Sequence, residues 1–189
     1  SWTQDQLRHI LSVCRHQWER CIVIGLAQTG ARREEFASIR RDNFHGNWAM
    51  IKSKATSVNA GGQRMLYIPR EAEVEITMCM GGREQMYQAR APMTADNLKD
   101  AVKVILSRAG LWKKGVGCHS FRHSYSAEFK SNGGDSLFLD VILGHFKGDM
   151  SHHYFHAVDA QVMAQAIKYG PKAFLQGELP LEVSRPVAV

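Results

Sequence analysis

No apolar run in this 189-residue chain reaches the roughly 18 residues needed to cross a membrane, and no charged-then-apolar leader opens it. CxxC pairs are absent as well. The four cysteines, Cys14, Cys21, Cys79 and Cys118, are scattered, which excludes a zinc ribbon or a disulfide framework. Among the histidines, His152, His153 and His156 cluster but lack cysteine or carboxylate partners at ligand spacing. There is no P-loop, no carboxylate cluster, no internal repeat and no low-complexity tract. These absences predict a soluble protein of a reducing cytoplasm with no membrane partner. The missing initiator methionine before Ser1 predicts a piece of a longer protein.

What the chain does have is positive charge, unevenly spread. Lys and Arg outnumber Asp and Glu by 24 to 18, giving a formal charge of +6 and a pI near 9.3. Residues 8–54 hold nine basic residues against four acids, and residues 101–156 hold seven against four; residues 70–100 reverse the balance with four against six. Two basic stretches suit a polyanionic partner. At 44% hydrophobic, the chain can bury one substantial core.

Local patterns predict mostly helix. Thr3 and Gln6 read as a capping box ahead of Leu7, Ile10, Leu11 and Cys14 at helical spacing. Residues 21–27 are apolar on nearly all sides, as in a buried helix, and stop at Thr29-Gly30. Further helices are expected over 33–41, from Thr94 to about Gly110, and over 120–132, 136–143, 148–155 and 158–169. Residues 47–54 and 63–69 alternate like two short strands of a hairpin, and 71–91 reads only as helix then loop. The expected class is mainly α with a small antiparallel β-sheet. From Lys172 the chain is expected to form an arm, carrying Phe174, Leu175, Leu179 and Leu181, rather than part of the core.

Several residues stand where chemistry is plausible. Gln28-Thr29-Gly30-Ala31-Arg32 is a tight turn into a helix, with Glu35 on the same face as Arg32. His119 and Arg122 share a helix face at a helix start, where one anion can meet both. Leu143-Gly144-His145 places a second histidine after a glycine break, and Tyr154 follows nine residues later.

Taken together, Gly30, Arg32 and Glu35; a hairpin lysine, Lys54; His119, Arg122 and His123; and His145 followed by Tyr154 resemble the four motifs of the tyrosine recombinases, the phage-integrase family. The resemblance spans about residues 3–170 and departs from the common pattern at Ala31 and over 77–91. It implies the family's catalytic-domain fold over residues 1–171, a tail over 172–189 that either docks on a neighbouring protomer or is a disordered end, and an N-terminal DNA-binding domain with no counterpart in this chain. It also implies a site-specific recombinase or integrase of a phage or other mobile element, acting on double-stranded DNA as a homo-oligomer, a tetramer in the synaptic complex. Accessory directionality or DNA-bending proteins are implied partners, and no cofactor or metal is.

The chemistry fits the residue types. Arg32 and Arg122 present planar, permanently charged forks suited to a phosphodiester's oxygens. The phenol of Tyr154, with an ordinary pKa of about 10, needs help to become a nucleophile, and His119 is the expected helper. Lys54, with Lys52 on the same strand face as the alternative, is expected to protonate the departing 5′ oxygen. His145 is expected to hydrogen-bond a non-bridging oxygen, and Glu35 to support the arginines. Taken singly, each residue has a bland reading: Arg32 as a surface ion pair, His119 as a cap, His145 as a turn residue. His123 and Tyr125 are expected to pack on the buried side of their helix. The remaining alternatives are a type IB topoisomerase-like or telomere-resolving enzyme, and a non-catalytic DNA-binding regulator of the same fold.

Overall fold

The computed structural model describes residues 1–52, 62–145, 158–172 and 174. Helix α1 (Gln4–Ser12) starts where the sequence places it: Thr3 accepts from the Gln6 N–H, and the Gln6 side chain accepts from the Thr3 N–H. It leads into α2 (Gln17–Thr29), whose residues 21–29 are all buried. All-round burial follows from position, because α1 and the later helices Arg70–Met80, Ala95–Arg108 and Cys118–Ser131 pack around α2. Gly25 lets the next helix approach closely, since a Cβ there would lie 2.3 Å from the Phe36 ring.

Helix α3 (Arg33–Ala37) is shorter than the expected 33–41. Ser38 ends it, donating its hydroxyl to the Glu35 carbonyl, and Arg40 is already extended, with its N–H bonded to the Asn43 side chain. Polar side chains that bond their own backbone compete with helix in this way. The hairpin follows as β1 (Trp48–Lys52) and β2 (Gln63–Tyr67), paired antiparallel with Ile51 opposite Arg64. Its register turns Ala49, Ile51, Arg64 and Leu66 inward and leaves Lys52 exposed.

The stretch expected as helix then loop resolves into α4 (Arg70–Met80) and a two-residue ladder of β3 (Tyr87–Gln88) and β4 (Ala91–Pro92). The glutamates that blurred its pattern are partnered from elsewhere in the fold. Glu71 accepts from Gln28, and Glu75 accepts from Gln17 and, at 3.0 Å, from Arg20. Buried carboxylates with charged or amide partners are tolerated in a helix that otherwise reads as polar.

Thr94 caps α5 (Ala95–Arg108), with Asn97 completing the reciprocal bond. Then come α6 (Cys118–Ser131), which starts two residues earlier than expected, α7 (Ser136–Leu143) and α8 (Val158–Tyr169). The expected helix at 148–155 lies outside the described residues. One buried cluster joins α1 to α5 with Phe121 of α6; a second unites Tyr125, Phe129, Leu139, Ile142, Leu143, Val162 and Ala166. Phe174 is only 5% exposed, packs in the first cluster and donates its N–H to Glu71 at 2.9 Å, while the rest of the expected arm, with Leu175, Leu179 and Leu181, lies outside the described residues. Among the described residues, no helix is long and apolar enough to cross a membrane.

Candidate active site

Arg122 is the centre of the site, and its side chain is 3% exposed. Its NH1 donates to the Gly30 carbonyl at 2.8 Å, and its NH2 donates to the Leu143 carbonyl. Those carbonyls lie at the C-terminal ends of α2 and α7. Gly30 and Gly144, the two capping residues, both have left-handed backbones, with φ of 62° and 67°. Two helix C-termini, each equivalent to about half a negative charge, therefore face one guanidinium. The Glu35 carboxylate, at 4.0 Å from NH1, is too far to hydrogen-bond.

The NH2 of Arg122 also lies 2.9 Å from His145 Nε2. A guanidinium only donates, so Nε2 is the acceptor and the imidazole proton resides on Nδ1, which faces Asp140 Oδ1 at 3.4 Å. Burial and the Arg122 charge lower the His145 pKa from its ordinary value, with Asp140 opposing. Burial, followed by Arg32 and Arg64, pushes Arg122 down to about 9, with Glu35 opposing. It remains charged at neutral pH.

Arg32 enters from α3. Its NH1 pairs with Glu35 Oε1 at 2.9 Å, and its N–H donates to Glu35 Oε2 at 2.8 Å, so the glutamate fixes both side chain and backbone. With 28% of its side chain exposed, Arg32 faces solvent where Arg122 does not. His119, on the first turn of α6, is exposed and packs edge-on against His123, with ring centroids 4.4 Å apart. Burial comes first among the causes that lower its pKa, then His123, Arg122, Arg32 and His145. A neutral imidazole beside arginines can accept a proton near pH 7. The expectation that His123 packs inward fails, because α6 buries Cys118, Phe121, Arg122, Tyr125 and Phe129, and His123 falls outside that face.

The structure thus brings Arg32, Glu35, His119, Arg122 and His145 together. Lys54 and Tyr154, and with them the choice between Lys54 and exposed Lys52, lie outside the described residues. Arg64 was not anticipated. It is 3% exposed and forks onto Glu35, Nε to Oε1 at 3.1 Å and NH2 to Oε2 at 2.7 Å. The available signal was its strand parity with Leu66 and Ile68, because a cation on an inward-facing strand position requires a buried anionic partner. Beside His119 runs a groove of about 630 Å³ lined by Arg33, Lys99, Lys103, Lys114 and Trp112, with Asp100 among them.

Fold and site together define an α+β domain in which two arginines and two histidines meet beside a buried glutamate. The chain belongs to the phage integrase family, which matches residues 1–161. The integrase of Escherichia phage 186 is 28% identical over 174 residues, covering 89% of this chain and 47% of the relative. The integrase of mycobacterium phage Brujita superposes with a TM-score of 0.70 at 17% identity, covering 88% of this chain and 56% of that one. A lambda integrase dimer bound to a COC′ core site superposes at 0.61 with 16% identity, covering 79% and 59%. The fold is that of tyrosine recombinase catalytic domains. The chain spans about half the length of the curated relatives it matches.

Proposed function

We propose that this chain is the catalytic unit of a site-specific DNA recombinase, cleaving and rejoining strands through a 3′-phosphotyrosyl intermediate at Tyr154. The observation that carries the reading is the convergence of Arg32, Arg122, His119 and His145 on one cationic site, with Arg122 held in place by two helix ends.

In this reading Arg32 and Arg122 neutralise the non-bridging oxygens, whose charge grows in the pentacoordinate transition state. Neutral His119 takes the phenol proton as the Tyr154 oxygen bonds to phosphorus. The bond from phosphorus to the 5′ oxygen breaks, and Lys54 protonates the departing oxygen. In the free site His145 orients Arg122 by accepting through Nε2; when the phosphate binds, that hydrogen bond is released and His145, now protonated on Nε2, donates to a non-bridging oxygen. Reversal by another strand's 5′-hydroxyl rejoins DNA without ATP, because the phosphotyrosyl link keeps the phosphodiester's energy. Two of the other phenols support the choice of nucleophile: burial pushes Tyr125 and Tyr67 up, making both harder to ionise.

Double-stranded DNA is the proposed substrate, and a homo-oligomer on DNA the working form, in line with the DNA-bound lambda integrase dimer. Phage relatives favour integration or excision of a mobile element, within the cytoplasm of a bacterial host and with directionality or DNA-bending partners. Residues 1–171 are the proposed catalytic domain, with the core extended by Phe174. Incubation with a nicked suicide DNA carrying the cognate site, followed by denaturing electrophoresis, tests it. A covalent adduct that disappears in Tyr154→Phe is expected; an adduct that persists in that variant overturns the assignment.

A further inference from the structure

Arg64 makes interactions that no phosphate-binding role explains. Beyond its fork onto Glu35, its NH1 donates to the Ile142 carbonyl at 2.7 Å. Its Cδ would stand 2.7 Å from a Cβ placed on Gly144, the residue before His145. On one side, then, Arg64 grips the carboxylate that fixes the backbone and guanidinium of Arg32. On the other it grips the last turn of α7, whose Leu143 carbonyl holds Arg122 and whose next residues lead to His145. Glu35 and Ile142 lie 29 and 78 residues from Arg64 in the chain, so no local geometry sets the distance between them.

From this we infer that Arg64 is a positioning residue for strand transfer: buried and out of reach of DNA, it sets the spacing between Arg32 and the Arg122–His145 pair. The inference rests on the functional reading above. A purely structural role is poorly served by an arginine here. Arg64 adds a third guanidinium around one carboxylate and lowers the pKa of Arg122, and apolar side chains of similar volume fill buried positions at equal or lower free-energy cost. What an apolar residue cannot do is hold two separate elements at a fixed separation through a directional fork.

The test separates position from stability. Arg64→Met alone takes from the buried Glu35 carboxylate the two hydrogen bonds of the fork while Arg32 keeps its own, so it is paired with Glu35→Gln, which removes the buried negative charge, and Glu35→Gln by itself is the reference for what the carboxylate contributes. Both the parent chain and the double variant are assayed on the nicked suicide DNA, alongside Glu35→Gln and Arg64→Lys. The expected result is a double variant that melts within a few degrees of the parent and binds the DNA within about twofold, yet forms adduct about 10- to 100-fold more slowly at saturating DNA. Arg64→Lys, which keeps the charge but loses the fork, is expected to fall between them. Adduct formation by the double variant at the rate of Glu35→Gln alone overturns the inference.

If the parent itself forms no adduct, the functional reading fails, and inorganic phosphate decides the positioning role. The parent is expected to gain more thermal stability from added phosphate than the double variant does. Equal gains overturn the inference.

Discussion

His145 accepts a hydrogen bond from Arg122 at 2.9 Å through Nε2, the nitrogen expected to serve a phosphate oxygen. Histidine and arginine therefore hold each other before any substrate arrives. His145→Ala is expected to slow adduct formation about 10- to 100-fold while changing stability by less than about 1 kcal/mol, since nearly half of the side chain, 47%, is exposed. Single-turnover cleavage and thermal melting on the same samples check both halves. A large loss of stability with unchanged cleavage would contradict the alignment role.

Replacing Arg122 by lysine keeps one charge but loses the fork that spans the Gly30 and Leu143 carbonyls. One buried carbonyl is left without its partner, at a cost of about 1–3 kcal/mol. Cleavage is expected to fall by at least about 100-fold, because a point charge cannot reproduce paired donors aimed at the transition state. Denaturant titration and adduct kinetics measure the two effects.

The pH dependence follows from His119 and His145, whose folded pKa values are both lowered, by burial first. His123, Arg122, Arg32 and His145 face His119, whereas Arg122, Arg32 and Asp140 face His145. Between the folded values and about 6.5, the unfolded chain binds more protons, so stability rises with pH there and levels off above. Melting temperature is expected to fall as pH drops from 7 towards 5. The acid limb of the cleavage rate is expected to have its midpoint below about 6.5, because His119 must be neutral to take a proton. A midpoint above that value would exclude His119 as the base.

Along the groove beside His119, charge reversal at Lys99, Lys103 and Lys114 is expected to weaken DNA binding without altering the melt. For every phosphate no longer neutralised, the slope of log affinity against log salt should flatten by about 0.9. Gel-shift titrations across a salt series read the slope. An unchanged slope would place the duplex elsewhere.

Gly30→Ala tests the turn that delivers Arg32. At φ of 62° an added Cβ would meet Leu143 Cδ2 at 2.8 Å and Tyr125 Cγ at 3.0 Å. The expected cost is about 1–3 kcal/mol from backbone strain alone. For a domain of this size the melting temperature drops by roughly 2–4 °C per kcal/mol. Differential scanning calorimetry measures it.

Features encoded within a few residues were legible in the sequence. Thr3 and Thr94 cap helices because their partners lie three residues away, and Gly30 ends α2 because only its own φ matters. His119 and Arg122 could be placed together because one helical turn joins them. Arg64 escaped notice because its meaning depends on Glu35 and Ile142, which only the folded chain brings near. The same holds for Phe174: its apolar character was visible, but the core that receives it was not. Helix α3 was expected to run on to residue 41 because the Phe36 and Ile39 spacing suits a helix. Both side chains are in fact buried, but Ile39 is reached after the helix has ended.

Arg122 is compensated by helix ends and an imidazole, without a carboxylate at hydrogen-bonding distance. A guanidinium locked to a carboxylate would have to break that bond before greeting another anion, and the rupture would add to the barrier. Helix dipoles are diffuse and fixed in the backbone, so they continue to favour the cation after the newcomer arrives. A site of this kind meets a phosphate-like anion with little reorganisation: the positive charge is already oriented and desolvated, and Glu35, 4.0 Å from it, shares no hydrogen bond with it that would have to break.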